Sequence, residues 1–264
     1  MYLYLPVLQD LVEQWLSDPN YSHGFVVPLI AGYLMWERRE ALRRAADGGS
    51  AWGYVLLVAG VGLLLVGEAA TFGYAARVSL LVVIVGLILF LRGTEALRIL
   101  TFPVAYLLFM IPPPAIIMNQ IAFPLQLMAA RLATASLDAL GVPVFREGNV
   151  ISLAPVQLEV TEACSGIRSL VALLALGVIF AYLTQRAWGP RVILALSTVP
   201  IALVTNAARI TLTGLLVEAF GPAAGIGFYH EFSGLVIFGL AFVLLVAEGL
   251  VLTRLAPRME GVQT

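Results

Sequence analysis

The sequence lacks lysine altogether, because all 15 of its basic residues are arginine. A Schiff base on a lysine and a phosphate-binding loop that needs one are therefore excluded. Only one cysteine, Cys164, is present, which excludes an internal disulfide and a cysteine-clustered zinc site. The chain has two histidines, His23 and His230, which excludes a three-histidine metal site. We expect no metal and no organic cofactor.

Charged residues are also scarce, at 12% of the chain against 61% hydrophobic residues, with a mean hydropathy of +0.96. A soluble domain of this length would carry about twice that share of charge, so a soluble globular enzyme is excluded. The net charge of −1 argues against a nucleic-acid partner, which would require a basic surface. The chain must be solvated mostly by membrane lipid.

Seven apolar stretches are candidates to cross the membrane. They cover residues 24–37, 51–69, 74–92, 95–111, 165–184, 190–208 and 232–253. We therefore predict an all-α polytopic membrane protein with about seven or eight transmembrane helices. No composition shift or linker divides the sequence, so we predict a single integral-membrane domain over residues 1–264.

Three other segments do not have the pattern of a span. Residues 2–16 place apolar and acidic groups on different sides of a helix, which predicts a short interfacial helix. Residues 115–140 are apolar but interrupted by polar groups, and we predict an amphipathic helix at a membrane face. Residues 143–160 alternate apolar positions around a Glu-Gly-Asn turn at 147–149, which predicts a small β-hairpin outside the hydrocarbon.

The arginines predict an orientation by the positive-inside rule. One set of connections holds ten of the 15, namely Arg38, Arg39, Arg43, Arg44, Arg92, Arg98, Arg186, Arg191, Arg254 and Arg258. That side should be cytoplasmic, so residues 1–23 and the hairpin should lie outside. The orientation requires residues 115–140 to stay on the outer side. If that segment spans, everything before it inverts and the arginine bias weakens.

Three polar sites are not explained by burial in lipid, where an ionisable residue is a functional candidate. In the first, residues 160–169, Cys164 would lie at the first turn of a helix, where the helix dipole and Arg168 favour a thiolate. The alternative is that this lone cysteine is a small apolar filler.

The second site, residues 205–211, places Arg209 inside an otherwise apolar stretch. This guanidinium either reaches the outer interface or is aimed at a negative charge. The third site, residues 229–234, places His230 just before the last span, as an interfacial histidine or as a base for the thiol. The predicted topology puts Cys164, Arg209 and His230 on one side of the membrane, a set sufficient for acyl transfer.

At these residues the chain resembles the exosortase/archaeosortase family of membrane cysteine transpeptidases. The resemblance covers most of the chain. Its motifs are Tyr21-Ser22-His23-Gly24 with Pro28, Phe109-Met110-Ile111-Pro112, Gly148-Asn149, Ala163-Cys164-Ser165-Gly166-Ile167-Arg168-Ser169, Asn206-Ala207-Ala208-Arg209-Ile210, and His230 with Gly234. Members commonly have a further hydrophobic segment before the first motif, whereas only 20 residues precede Tyr21 here.

The resemblance implies a protease-transpeptidase of the bacterial inner membrane whose catalytic residues are Cys164, Arg209 and His230. Its clients would be secreted proteins with a C-terminal Pro-Glu-Pro-like motif, one transmembrane helix and an Arg-rich tail. A lipid, a glycan or water would resolve the intermediate. We expect four further residues to surround and orient the site: Glu162, Ser165, Arg168 and Asn206. We interpret His23 as a structural or substrate-channel residue.

Three alternatives remain open at this point. A transporter for lipid or polysaccharide would use Arg209 and His230 to line a polar path, and it predicts polar residues spread along several spans. A scaffold of an envelope assembly predicts that Cys164 can be replaced without loss. A membrane acyltransferase would use the same thiol with a different donor.

Overall fold

The computed structural model describes residues 2–45, 48–154, 156–159, 167–222 and 228–255. They group into two compact units, unit 1 (Met1–Ala115) and unit 2 (Ile116–Thr264), and each is described by itself. Five of the described helices are long and apolar enough to cross a membrane. The predicted all-α polytopic membrane fold is confirmed. The predicted single domain stays a prediction.

Unit 1 is built from mainly apolar helices, which satisfy most of their backbone polar groups internally, as lipid requires. The helices are α1 (Leu5–Ser17), α2 (Val26–Glu37), α3 (Arg39–Arg44), α4 (Ala51–Ala69) and α5 (Gly73–Tyr106), with short 3-10 helices at Tyr2–Tyr4, Pro19–Phe25 and Leu107–Met110. The predicted span at 51–69 has the same bounds as α4.

Helix α5 is interrupted at Gly93, whose φ of +82° is a conformation that glycine adopts without strain. Neighbouring residues of α1 contact both sides of this break: Gln14 accepts a hydrogen bond from Arg77, and the Trp15 indole donates to the Met110 carbonyl at 2.9 Å. In one straight helix residues 77 and 110 would be about 50 Å apart, beyond the reach of adjacent side chains. The chain therefore reverses at Gly93, and two predicted spans correspond to its two halves.

Glycines spaced seven residues apart allow α4 to pack closely against the first half of α5. A Cβ on Gly60 would lie 2.6 Å from a methyl of Val83, and one on Gly67 would lie 2.7 Å from the backbone nitrogen of Ala76. The contact positions advance along α4 as they recede along α5, so the two helices are antiparallel. Without a hydrophobic force between helices in lipid, such backbone approach is what holds them together.

Two arginines of unit 1 bind backbone carbonyls near helix ends or breaks. Pro103 has no N–H for the carbonyl of Ile99 four residues earlier, and Arg38 donates to that carbonyl at 3.1 Å. Arg92, next to the break in α5, donates to the carbonyl of Leu42 at 2.7 Å. Arg38 and Arg92, which the sequence assigns to one side of the membrane, thus lie at one end of this unit. Which side that end faces stays a prediction.

Helix α1 contacts the rest of unit 1 through one face only. Leu11 and Trp15 are buried on that face, whereas Leu8 and Leu16 are exposed on another beside acidic residues. Tyr4, just before α1, also packs inward. This division into a packed, an apolar and an acidic face is the surface expected of an interfacial helix.

Unit 2 contains α6 (Ala115–Ala139), the strands β1 (Val144–Glu147), β2 (Val150–Leu153) and β3 (Gln157–Glu159), and the helices α7 (Ile167–Thr184), α8 (Trp188–Phe220) and α9 (Phe228–Leu255). Residues 115–140 were expected to lie flat at a membrane face. This segment forms one helix, α6, which is long and apolar enough to cross a membrane, so its interfacial position stays a prediction. The predicted orientation depends on this segment, so it remains a prediction.

The segment predicted as a β-hairpin forms a three-stranded antiparallel sheet in the order β1-β2-β3. Glu147 pairs with Val150 across the predicted turn, and Gly148 has a φ of +62°, as the first position of a type II′ turn requires. Alternation buries one face of the sheet, with Ile151 and Leu153 inside. The additional strand, β3, lies between β2 and Cys164 in the sequence.

Helix α8 includes the predicted span at 190–208 and continues beyond it to Phe220. The extension is retained because it buries Ile210 and Val217. They belong to a cap cluster that joins the end of α6, the sheet and the end of α8: Ala129, Ala130, Ala133, Leu137, Val142, Ile151, Leu153, Ile210 and Val217. A second group, the helix-core cluster, joins α7, α8 and α9: Leu170, Leu173, Ala181, Leu194, Ala202, Ala241 and Leu245.

Candidate active site

Arg209 is buried on α8, with only 8% of its surface exposed. It lies between Ala202 of the helix-core cluster and Ile210 of the cap cluster. Trp188, at the other end of the helix, is 77% exposed and lies about 32 Å away along the axis, roughly one hydrocarbon thickness. Arg209 therefore lies well before the end of α8. If Trp188 marks one membrane interface, Arg209 lies at the depth of the opposite one.

The buried face of α8 around Arg209 is polar, with Thr205, Asn206 and Thr211 also buried. The two threonine hydroxyls are used by the helix itself, because each donates to the carbonyl four residues earlier, at 2.7 and 2.9 Å. The other two polar groups of this face are the Asn206 amide and the Arg209 guanidinium, which extend further from the helix than a threonine hydroxyl. No buried side-chain nitrogen or oxygen of the described residues lacks a partner, so the buried polar face is a satisfied, fixed surface.

The guanidinium of Arg209 reaches helix α9. Its Nη1 atom lies 3.9 Å from the place where a Cβ of Gly234 would be. His230 occupies α9 four residues before Gly234, so the two positions lie on the same face of that helix one turn apart. The fold thus brings two of the three predicted catalytic positions, Arg209 and His230, to adjoining helices, with His230 one turn along α9 from the place that the guanidinium approaches.

The remaining predicted site residues lie wholly or partly outside the described residues. Cys164, Glu162 and Ser165 are outside them, and α7 is described from Ile167, three residues after the cysteine. Arg168 and His230 lie on described helices, but their side chains are outside the described set. A thiol at the start of a helix therefore stays a prediction, as do the roles of all seven residues.

A second polar region, in unit 1, surrounds His23. Burial lowers the pKa of His23 below its usual value, while hydrogen bonds to the backbone of Phe109 and Asn20 act in the opposite direction. Next to it, a Cβ on Gly24 would overlap the Trp15 indole, which explains a glycine there. Sequence reasoning missed the Trp15 contact because nothing local connects the indole with residues 109–110. This packing supports the structural interpretation of His23.

None of the residues that the structure describes form a group of three or more histidine, cysteine or acidic side chains able to hold a metal ion. Searches of curated proteins and of solved structures give no match. The model of one family, described as transmembrane exosortase (Exosortase_EpsH), matches residues 15–247. That range includes α2 to α8, the sheet, and the Arg209 and His230 positions. With the helices, the sheet and the Arg209–α9 contact in place, this match shows that the chain belongs to the transmembrane exosortase family.

Proposed function

We propose that this exosortase cleaves the C-terminal sorting signals of secreted proteins through a thioester on Cys164. Family membership supports a membrane transpeptidase role in general. One observation supports the proposed roles of Arg209 and His230. The Arg209 guanidinium approaches α9 at Gly234, one helical turn from His230. A buried cation beside a position for a proton-transferring group is the arrangement that acyl transfer needs.

In the proposed mechanism the Cys164 thiolate attacks the scissile carbonyl. Arg209 stabilises the negative charge that develops on the carbonyl oxygen, in a water-poor environment where such a contact is strong. The C–N bond then breaks, and His230 gives a proton to the leaving amine. An acceptor amine or water gives a proton to the now neutral His230 and attacks the thioester carbonyl. The C–S bond breaks, and the Cys164 thiolate and the protonated His230 of the starting state are restored. Glu162, Ser165, Arg168 and Asn206 would orient these groups.

The proposed client is a secreted protein that ends in a Pro-Glu-Pro-like motif, a transmembrane helix and an Arg-rich tail. Its helix would lie among the enzyme's spans in the bacterial inner membrane and leave the motif at the outer interface. The depth of Arg209, near the end of one hydrocarbon thickness from Trp188, supports cleavage at an interface. The acceptor would be a lipid, a glycan or water.

The test is co-expression of the enzyme, as wild type and as Cys164→Ala, with a tagged reporter that carries this tripartite C-terminus. We expect a shift in reporter mass with the wild type and none with Cys164→Ala, while both enzymes insert equally. The product mass distinguishes water from a larger acceptor. Processing by Cys164→Ala would overturn the mechanism and favour a scaffold role for the chain.

A further inference from the structure

The strand β1 lies at an edge of the sheet, and among the described residues no strand pairs with its outer side. Because Glu147 and Val150 close a two-residue turn, the backbone groups of Glu147 and Phe145 point towards β2. Alternate residues point the opposite way, so the N–H and C=O groups of Val144 and Arg146 point outward. No backbone hydrogen bond among the described residues uses these outward groups.

The sheet is fixed close to the candidate site within unit 2. Its buried residues Ile151 and Leu153 share the cap cluster with Ile210, the residue that follows Arg209 on α8. Strand β3 ends at Glu159, five residues before Cys164 in the sequence. Unpaired edge groups cannot lie in hydrocarbon, so this edge faces water or the interface.

We propose that the outward edge of β1 binds an extended segment of the client polypeptide as an added strand. The proposal rests on the proposed function and names how its substrate is held. Outward N–H and C=O groups on alternate residues match an extended backbone of any sequence, and a side chain on the outer face adds selectivity. Phe145, 66% exposed on that face, provides this apolar contact.

The dimensions of β1 favour a client strand over a second copy of this chain. Four residues span only about 13 Å and offer two outward residues. A stable dimer needs roughly 800 Å² of contact on each partner, far more than such an edge supplies. A substrate that must be bound and then released needs only this short, weak pairing, since the enzyme has to release its product.

Proline at Arg146 tests the backbone contact directly. Arg146→Pro removes an outward N–H without removing a hydrogen bond between β1 and β2, which edge strands tolerate. The matched variant Arg146→Gln removes the guanidinium but keeps the N–H. We expect client processing to fall at least about tenfold more in Arg146→Pro than in Arg146→Gln. Equal processing by the two variants, with equal thermal midpoints, would overturn the proposal.

A photo-crosslinking measurement does not depend on cleavage. Phe145→benzoylphenylalanine is made in the Cys164→Ala background, and Trp188→benzoylphenylalanine, at the far end of α8, is the control because Trp188 is also exposed. We expect an enzyme–client adduct from position 145 and none from position 188. An enzyme–enzyme adduct at 145, or no client adduct there, would overturn the proposal. Failure of the proposed function appears separately, as reporter processing that does not need Cys164.

Discussion

The arginines of unit 1 and the arginine at the centre of unit 2 are used in different ways. Arg38 and Arg92 donate to backbone carbonyls near helix ends or breaks, where they replace hydrogen bonds that the helices do not make. Arg209 is buried on α8, about one hydrocarbon thickness from Trp188, and its guanidinium reaches across to α9. An ionisable group buried inside a membrane helix is costly and is kept where its charge has a function. We therefore expect the chemistry to take place in unit 2 and unit 1 to have a supporting structural role.

The largest expected effect comes from replacing arginine by lysine, which we expect to reduce reporter processing in unit 2 but not in unit 1. Arg209→Lys keeps the charge but loses the planar fork, so we expect reporter processing to fall about a hundredfold. Arg38→Lys, in unit 1, should leave processing close to wild type at equal expression. Full activity of Arg209→Lys would contradict a role for the planar guanidinium fork at the oxyanion and would show that a positive charge alone is sufficient.

The contact between Arg209 and α9 can be broken from the other helix. A leucine in Gly234→Leu would occupy the space of the guanidinium, and we expect processing to fall at least about tenfold. Gly234→Ala should retain most activity, because its Cβ would be at an ordinary contact distance of 3.9 Å. Gly239→Leu is the control, since nothing lies within 4 Å of its Cβ position. Equal losses at both glycines would show a general disturbance of α9.

In unit 1 the corresponding test concerns stability. Gly60→Ala puts a methyl 2.6 Å from Val83, so we expect a loss of about 1–3 kcal/mol and a lower thermal midpoint in detergent. Gly62→Ala, on an open part of the same helix, should be neutral or slightly stabilising. If the two variants have the same thermal midpoint, close packing of α4 on α5 does not stabilise this unit.

The smallest expected effect is the pH dependence that His23 gives to unit 1. Because its pKa is lowered in the folded protein, the unfolded chain binds more protons as the pH falls below about 6.5. The stability that the neutral ring provides is present above that pH and is lost as the pH falls through the folded pKa. We expect the wild-type thermal midpoint to fall more between pH 8 and pH 5.5 than that of His23→Gln. Parallel curves would show that His23 does not contribute.

Much of the fold could be predicted from the sequence, because local patterns specify it. The bounds of α4, the break between two spans at Gly93 and the turn at Gly148 follow from apolar runs and from glycine chemistry. The continuation of α8 beyond the predicted span was not predicted, since the burial that retains it comes from the sheet and from α6. Whether α6 lies at the interface or crosses the membrane stays a prediction, since helix length and composition alone allow both.

The candidate site could be predicted as residue types but not as an arrangement. Arg209 and His230 stood out because charged and titratable groups are rare in this chain. That Arg209 reaches the Gly234 turn of α9 depends on how two helices pack, and no local pattern contains that information. The same holds for Trp15 and Met110, which are 95 residues apart in the sequence.

Composition and local patterns are enough to predict a chain solvated by lipid, with many helices and a small sheet, and to identify its few exceptional polar residues. These properties follow from composition and from local hydrogen bonding, which lipid makes obligatory within each helix. Three features depend on packing instead: α5 folds back on itself, α8 extends into the cap cluster, and the Arg209 guanidinium contacts α9. Those outcomes depend on contacts between residues distant in sequence, where packing of small residues and buried polar groups selects one arrangement among many.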